Sequence, residues 1–124
     1  IYLKEGFAEL FERRAIGVCH PDLATSGGIL ETKKIAAMAE SYYMQVSPHN
    51  PNSAVSTLAS LQLMVNIPNG LVLEFVDDEQ DAPWRNDLLT DPPQVEGGYL
   101  LAPTRPGLGS ELVMKEVDKH RFEG

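Results

Sequence analysis

The sequence predicts an α/β protein built on a parallel sheet. Three observations carry that prediction. Through Phe75, stretches of helical periodicity alternate with short apolar runs, in the order helix, strand, helix, strand, helix, strand. The apolar runs are close to continuous, as in strands covered on both faces. Pro21 and Pro48 then cut off the first two runs, as prolines do at strand ends.

The elements follow in order. Leu3, Phe7, Leu10 and Phe11 fall on one side of a charged segment, so Lys4–Arg14 is expected to be a helix. Ala15–Cys19 is a short apolar run fit for a buried strand. Thr25-Ser26-Gly27-Gly28 reads as a turn leading into a second helix, Ile29 to about Tyr42, with Ile35, Met38, Ala39 and Tyr42 inward. Tyr43–Ser47 is the second expected strand. Ala54–Asn66 is the third expected helix, with Val55, Leu58, Leu61 and Val65 at matching spacing, ended by Pro68-Asn69-Gly70. Leu71–Phe75 is the third expected strand. After Phe75 the character changes. An acidic loop (Asp77–Asp81), a helical turn near Trp84–Leu89, a small hairpin over Val95–Leu101, a Pro/Gly-rich stretch from Pro103 to Gly109 and a last helix within Glu111–Phe122 are expected. This tail is not a fourth strand–helix unit.

Composition narrows the function classes. The chain has 124 residues, 43% hydrophobic and 23% charged, as in an ordinary globular domain. Its formal net charge of −8 argues against nucleic acid, whose phosphates need a basic face. A single cysteine, Cys19, cannot form an internal disulfide, so a reducing compartment is favoured. No apolar run approaches the roughly 20 residues that span a bilayer, so no membrane role and a cytoplasmic location are expected. The chain opens at Ile1 with no initiator methionine, and is expected to begin inside something larger.

Three polar residues sit where a parallel α/β barrel collects its catalytic groups, at the C-terminal ends of strands. Asp22 follows the first strand, His49 the second, and Glu74 ends the third. On successive units their side chains should converge. A histidine exchanges protons near neutral pH, an aspartate beside it holds the ring, and a glutamate can steady a developing oxyanion. Taken singly, each has a plainer reading: a turn cap, a loop histidine, a strand-end charge. His20 and Asn50 flank the pair as candidate substrate contacts. No metal ligands are assigned within this chain, because Asp77–Asp81 lacks the glycine and the spacing of a calcium loop. Gly27-Gly28 is read as a tight turn rather than a phosphate cradle, Trp84 as packing for the tail, His120 as solvated, and Cys19 as a core residue.

A resemblance adds to this reading. Cys19-His20-Pro21-Asp22-Leu23-Ala24-Thr25-Ser26-Gly27-Gly28-Ile29 resembles the segment after the sixth strand in the mandelate racemase and sugar-acid dehydratase branch of the enolase superfamily. Ser47-Pro48-His49-Asn50-Pro51 resembles the segment after its seventh strand, at a spacing of 27 residues (49 − 22). Leu71–Phe75 resembles its eighth strand, and Pro83-Trp84-Arg85 and Pro106-Gly107-Leu108-Gly109 resemble parts of its tail.

The resemblance implies the C-terminal portion of a modified (β/α)7β barrel: the last three strand–helix units plus a tail. Residues 1–92 would belong to the barrel, and 93–124 would pack back toward a capping domain. It implies Mg²⁺ held by carboxylates on the missing N-terminal half, a small-molecule carboxylate substrate, His49–Asp22 as general acid/base, and Glu74 hydrogen-bonded to the intermediate. The Pro-His-Asn-Pro loop is more similar to the galactonate dehydratase type, which implies dehydration of a galactonate- or gluconate-like sugar acid. A racemase or epimerase of a hydroxy acid, and a non-catalytic assembly module, stand as alternatives. A complete barrel takes roughly 250 residues. This chain alone is therefore expected to be inactive and to need the rest of the barrel as its partner, and the resemblance also implies a homo-oligomer.

Overall fold

The computed structural model describes residues 1–76, 82 and 84–121. The elements run α1 (Leu3–Glu12), β1 (Val18–Cys19), α2 (Gly28–Ser41), β2 (Gln45–Val46), α3 (Ala54–Met64), α4 (Trp84–Asp87), β3 (Val95–Glu96), β4 (Tyr99–Leu100) and α5 (Met114–Lys119). The acidic run 77–81, Pro83 and residues 122–124 lie outside the described residues. No helix among the described residues is long and apolar enough to cross a membrane.

Strands β1 and β2 pair in parallel, Val18 against Gln45 and Cys19 against Val46. Their shortness has a cause. Each is followed two residues on by a buried proline, Pro21 or Pro48, with no N–H to give the ladder. One further bond, from Ser47 N–H to the Cys19 carbonyl at 2.9 Å, extends the pairing. The ladder resumes beyond the prolines as a parallel bridge between Asp22 and His49.

Cys19 and Val46 face the helices. There they meet Phe7 and Phe11 of α1 and Ile35, Ala36 and Ala39 of α2 in one buried cluster. The Phe7 and Phe11 rings lie 6.2 Å apart and Phe11 meets Tyr42 at 5.8 Å, so α1 is held by an aromatic seam.

Both of the first two helices end earlier than expected, and by the same device. After α1, Arg14 takes a left-handed conformation (φ 47°), its N–H bonds the Phe11 carbonyl, and the Ala15 N–H bonds that of Leu10. After α2, Tyr43 does the same (φ 59°), bonding Glu40, while Met44 bonds Ala39. This paired closure usually recruits glycine. Here two ordinary residues accept the strained conformation, and β2 begins at Gln45 rather than Tyr43.

Helix α3 is capped by Ser53, whose hydroxyl accepts the Ser56 N–H at 3.2 Å. The expected single apolar face is corrected: Val55 and Val65 are exposed, while Ser56, Thr57, Leu58, Ala59, Ser60, Leu61 and Leu63 are all buried. The helix is covered on several sides because the tail lies over it, with Leu89 and Leu108 against Ala54 and Leu58.

The third expected strand, Leu71–Phe75, is also corrected. The chain is parallel to β2 only at a Val46–Gly70 bridge, closed by Leu71 N–H to the Val46 carbonyl at 2.8 Å. Beyond that point the facing chain is Ser47-Pro48, and Pro48 has no donor, so no ladder forms over residues 72–74.

In the tail, β3 and β4 form the expected antiparallel hairpin. Leu89 and Leu112 bridge antiparallel, and Asp91 pairs with Arg105. Trp84 stacks on His120 at 4.3 Å, so that histidine is engaged with a ring of the tail rather than only with solvent.

Candidate active site

Two loops meet beyond the ends of β1 and β2. The first, after Pro21, is a tight turn closed by Ser26 N–H to the Asp22 carbonyl at 2.7 Å, with Ala24 N–H on Asp22 Oδ1 at 2.9 Å. Gly27 then turns the chain into α2 at φ 109°, where a Cβ would sit 2.9 Å from Cβ of Glu31. The second loop, Pro48–Asn52, delivers His49.

Because Asp22 and His49 are bridged backbone to backbone, their side chains leave the sheet side by side. His49 Nδ1 lies 3.1 Å from Asp22 Oδ2. Burial of Asp22 favours its neutral form. The hydrogen bonds from His49, Asn52 and the Ala24 and Thr25 amides outweigh that burial, so its carboxyl is held below the ordinary carboxylate value. An ionised carboxylate only accepts, so the proton of this pair sits on His49 Nδ1. In the neutral ring this places the lone pair on Nε2. The histidine side chain is 52% exposed against 13% for the aspartate, so the ring reaches out from a sheltered anion.

Asn52 was not singled out from the sequence. Its Nδ2 donates to the same Asp22 Oδ2 at 3.0 Å. The available signal was its place three residues after the candidate base, on the same proline-flanked loop.

His20, Asp22 and His49 line one pocket of about 380 Å³, with Thr25 and Ser26 at its polar side and Phe7, Leu10, Ile16 and Val18 among its apolar walls. The His20 ring is oriented by its own bond, Nδ1 to the Ser47 carbonyl at 2.8 Å. Glu74 and Asn50 do not line this pocket. Glu74 joins the site one residue away from His49: its Oε2 accepts the Asn50 N–H at 2.8 Å. The expectation that Asn50 touches substrate meets a residue only 2% exposed. Its amide hydrogens go to the Glu74 carbonyl at 3.0 Å and Thr57 Oγ1 at 2.9 Å.

Cys19 is buried, which pushes its thiol up to about 12 and leaves it an uncharged core group. Among the described residues no three His, Cys, Asp or Glu side chains converge as a metal site. Asp22 Oδ2 already accepts from His49 Nδ1 and Asn52 Nδ2.

Comparison with known proteins shows the family. The family profile described as Enolase C-terminal domain-like matches residues 1–117. The D-xylonate dehydratase of Haloferax volcanii is 38% identical over 124 residues, all of this chain and 30% of that protein. The D-gluconate/D-galactonate dehydratase of Picrophilus torridus is 31% identical over 121 residues, 98% of this chain and 30% of that protein. The crystal structure of a mandelate racemase/muconate lactonizing enzyme from Sulfitobacter sp. superposes with a TM-score of 0.90 at 35% identity, over 100% of this chain and 30% of that one. The chain thus spans about 30% of the length of the curated relatives it matches.

Proposed function

From the premise that this chain belongs to the enolase C-terminal domain-like family, in the branch of the mandelate racemases and sugar-acid dehydratases, we propose that it supplies the acid/base dyad of a sugar-acid dehydratase. Its first 92 residues would be the last three strand–helix units of a (β/α)7β barrel, and 93–124 the tail that returns toward a capping domain. The observation that carries the reading is the Asp22–His49 bond, which protonates Nδ1 and leaves Nε2 free at a pocket.

In this reading Nε2 of His49 removes the proton α to the substrate carboxylate. Asp22 stabilises the imidazolium that results. The protonated ring then gives its proton to the departing β-hydroxyl, which leaves as water. The enol that remains tautomerises to a 2-keto-3-deoxy acid. Glu74 hydrogen-bonds an oxygen of the intermediate. Mg²⁺, when bound to carboxylates of the preceding part of the barrel, supplies stabilisation of the negative charge. No step within this chain runs through it.

The test uses the complete protein that carries this chain, supplied with Mg²⁺ and a panel of five- and six-carbon sugar acids. Formation of a 2-keto-3-deoxy acid is expected, with a loss of about 10³-fold in kcat for His49→Asn. Full turnover in that variant, or neither product nor α-proton exchange with any acid of the panel, would sink the reading. Exchange of the α-proton in D₂O without loss of water would redirect it to a racemase or epimerase.

A further inference from the structure

We propose that Asn50 is a positioning residue that sets Glu74 in the active site, an inference that rests on the reading of Glu74 given above. Glu74 needs such a device because its segment has lost its ladder. Pro48 ends the pairing, so the last backbone bond from β2 reaches only Leu71. Among the described residues, the hydrogen bonds that reach residues 72–76 come from Asn50 alone.

Asn50 holds this segment at two points. Its backbone N–H meets the Glu74 carboxylate and its side chain meets the Glu74 carbonyl. The second amide hydrogen is anchored in α3. There the Thr57 hydroxyl gives its own proton to the Ser53 carbonyl at 3.1 Å, so toward Asn50 it can only accept. Both acceptors fix the amide the same way round, nitrogen toward Thr57 and Glu74. Any residue but proline would offer the backbone N–H. Only a short side chain with two donors also ties the Glu74 main chain to α3, so that this N–H meets the carboxylate. The clasp therefore links the residue after His49 to the other acid of the site, and the two are held in one geometry.

The complete protein is tested as Asn50→Ala, Thr57→Val, Glu74→Gln and the Asn50→Ala/Glu74→Gln pair, with kcat, KM and the unfolding midpoint measured for each. Asn50→Ala is expected to lower kcat about 10²-fold, the cost of a small misplacement of a reacting group. Thr57→Val keeps the volume, touches no part of Glu74, and should lower kcat several-fold. In the Glu74→Gln background the further loss in kcat from Asn50→Ala should vanish, while the losses in unfolding midpoint still add. Multiplicative losses in kcat, or unchanged kcat in both Asn50→Ala and Thr57→Val, would overturn the proposal. A crystal structure of Asn50→Ala decides it without turnover. Displacement of the Glu74 carboxylate is expected, and an unmoved carboxylate overturns it. If the parent protein dehydrates no sugar acid, the functional reading fails while this structural readout still stands.

Discussion

The region before Val76 and the tail from Trp84 onward are held by different physics. The first is organised by burial: Phe7, Phe11, Cys19, Ile35 and Val46 share one sealed cluster. In the tail, α4, β3 and α5 bury no residue, and the shape comes from turns, a two-residue hairpin, an ion pair and a ring stack. Leu89 and Leu108 are its apolar anchors on α3. The comparison teaches why the site lies where it does. Asp22 and His49 stand just beyond strands whose backs are fixed by that cluster, whereas the tail packs on α3.

This contrast can be broken by mutation. The largest stability effect is expected for Phe11→Ala, which empties a 0% exposed ring position and should cost about 3–5 kcal/mol. Trp84→Ala, at a half-exposed stack, should cost about 1 kcal/mol. Chemical denaturation of the complete protein measures both, and equal losses would dissolve the distinction.

The tail has one point where local geometry is as unforgiving as a core. Gly109 is buried at φ 83°, and a Cβ there would fall 2.2 Å from Cβ of Pro103. Gly109→Ala should cost about 2 kcal/mol, from the left-handed backbone and the contact together. A loss under a few tenths would show that the turn rearranges freely.

The smallest expected effects are chemical. At pH 8 Cys19 should resist alkylation in the folded protein and react on unfolding, because its thiol titrates near 12. A folded-state pKa above the unfolded one means that this group's contribution to stability is complete below the ordinary thiol value. It is lost as pH rises from there toward 12. Asp22 has the opposite sign. Its depressed carboxyl pKa contributes stability above the ordinary carboxylate value of about 4, lost as pH falls through the folded value. Labelling kinetics and an acid titration of the His49 ring by NMR read the two.

Much of the fold was legible in residue patterns because burial leaves a period in the sequence. The helix–strand alternation and the meeting of Asp22 with His49 followed from apolar runs and the prolines after them. What escaped has other causes. The closures at Arg14 and Tyr43 use residues with no bias toward left-handed backbone, so nothing marked the helix ends. The missing ladder over residues 72–74 depends on Pro48, more than twenty positions away, through pairing that the strand's own composition does not encode. The roles of Asn50 and Asn52 likewise depend on partners brought near only by the fold.

The bridge between Asp22 and His49 has a consequence for motion. The two residues ride on paired backbones, so a twisting or breathing of the sheet carries acid and imidazole together and leaves their separation nearly constant. Glu74 rides on a segment with no ladder to that pair, so among the described residues its distance from the ring is kept by the Asn50 clasp alone. Thermal noise in this site therefore falls on one leg of the triangle. The contact between Asp22 and His49 is thus the stiff leg, and the placement of Glu74 the compliant one.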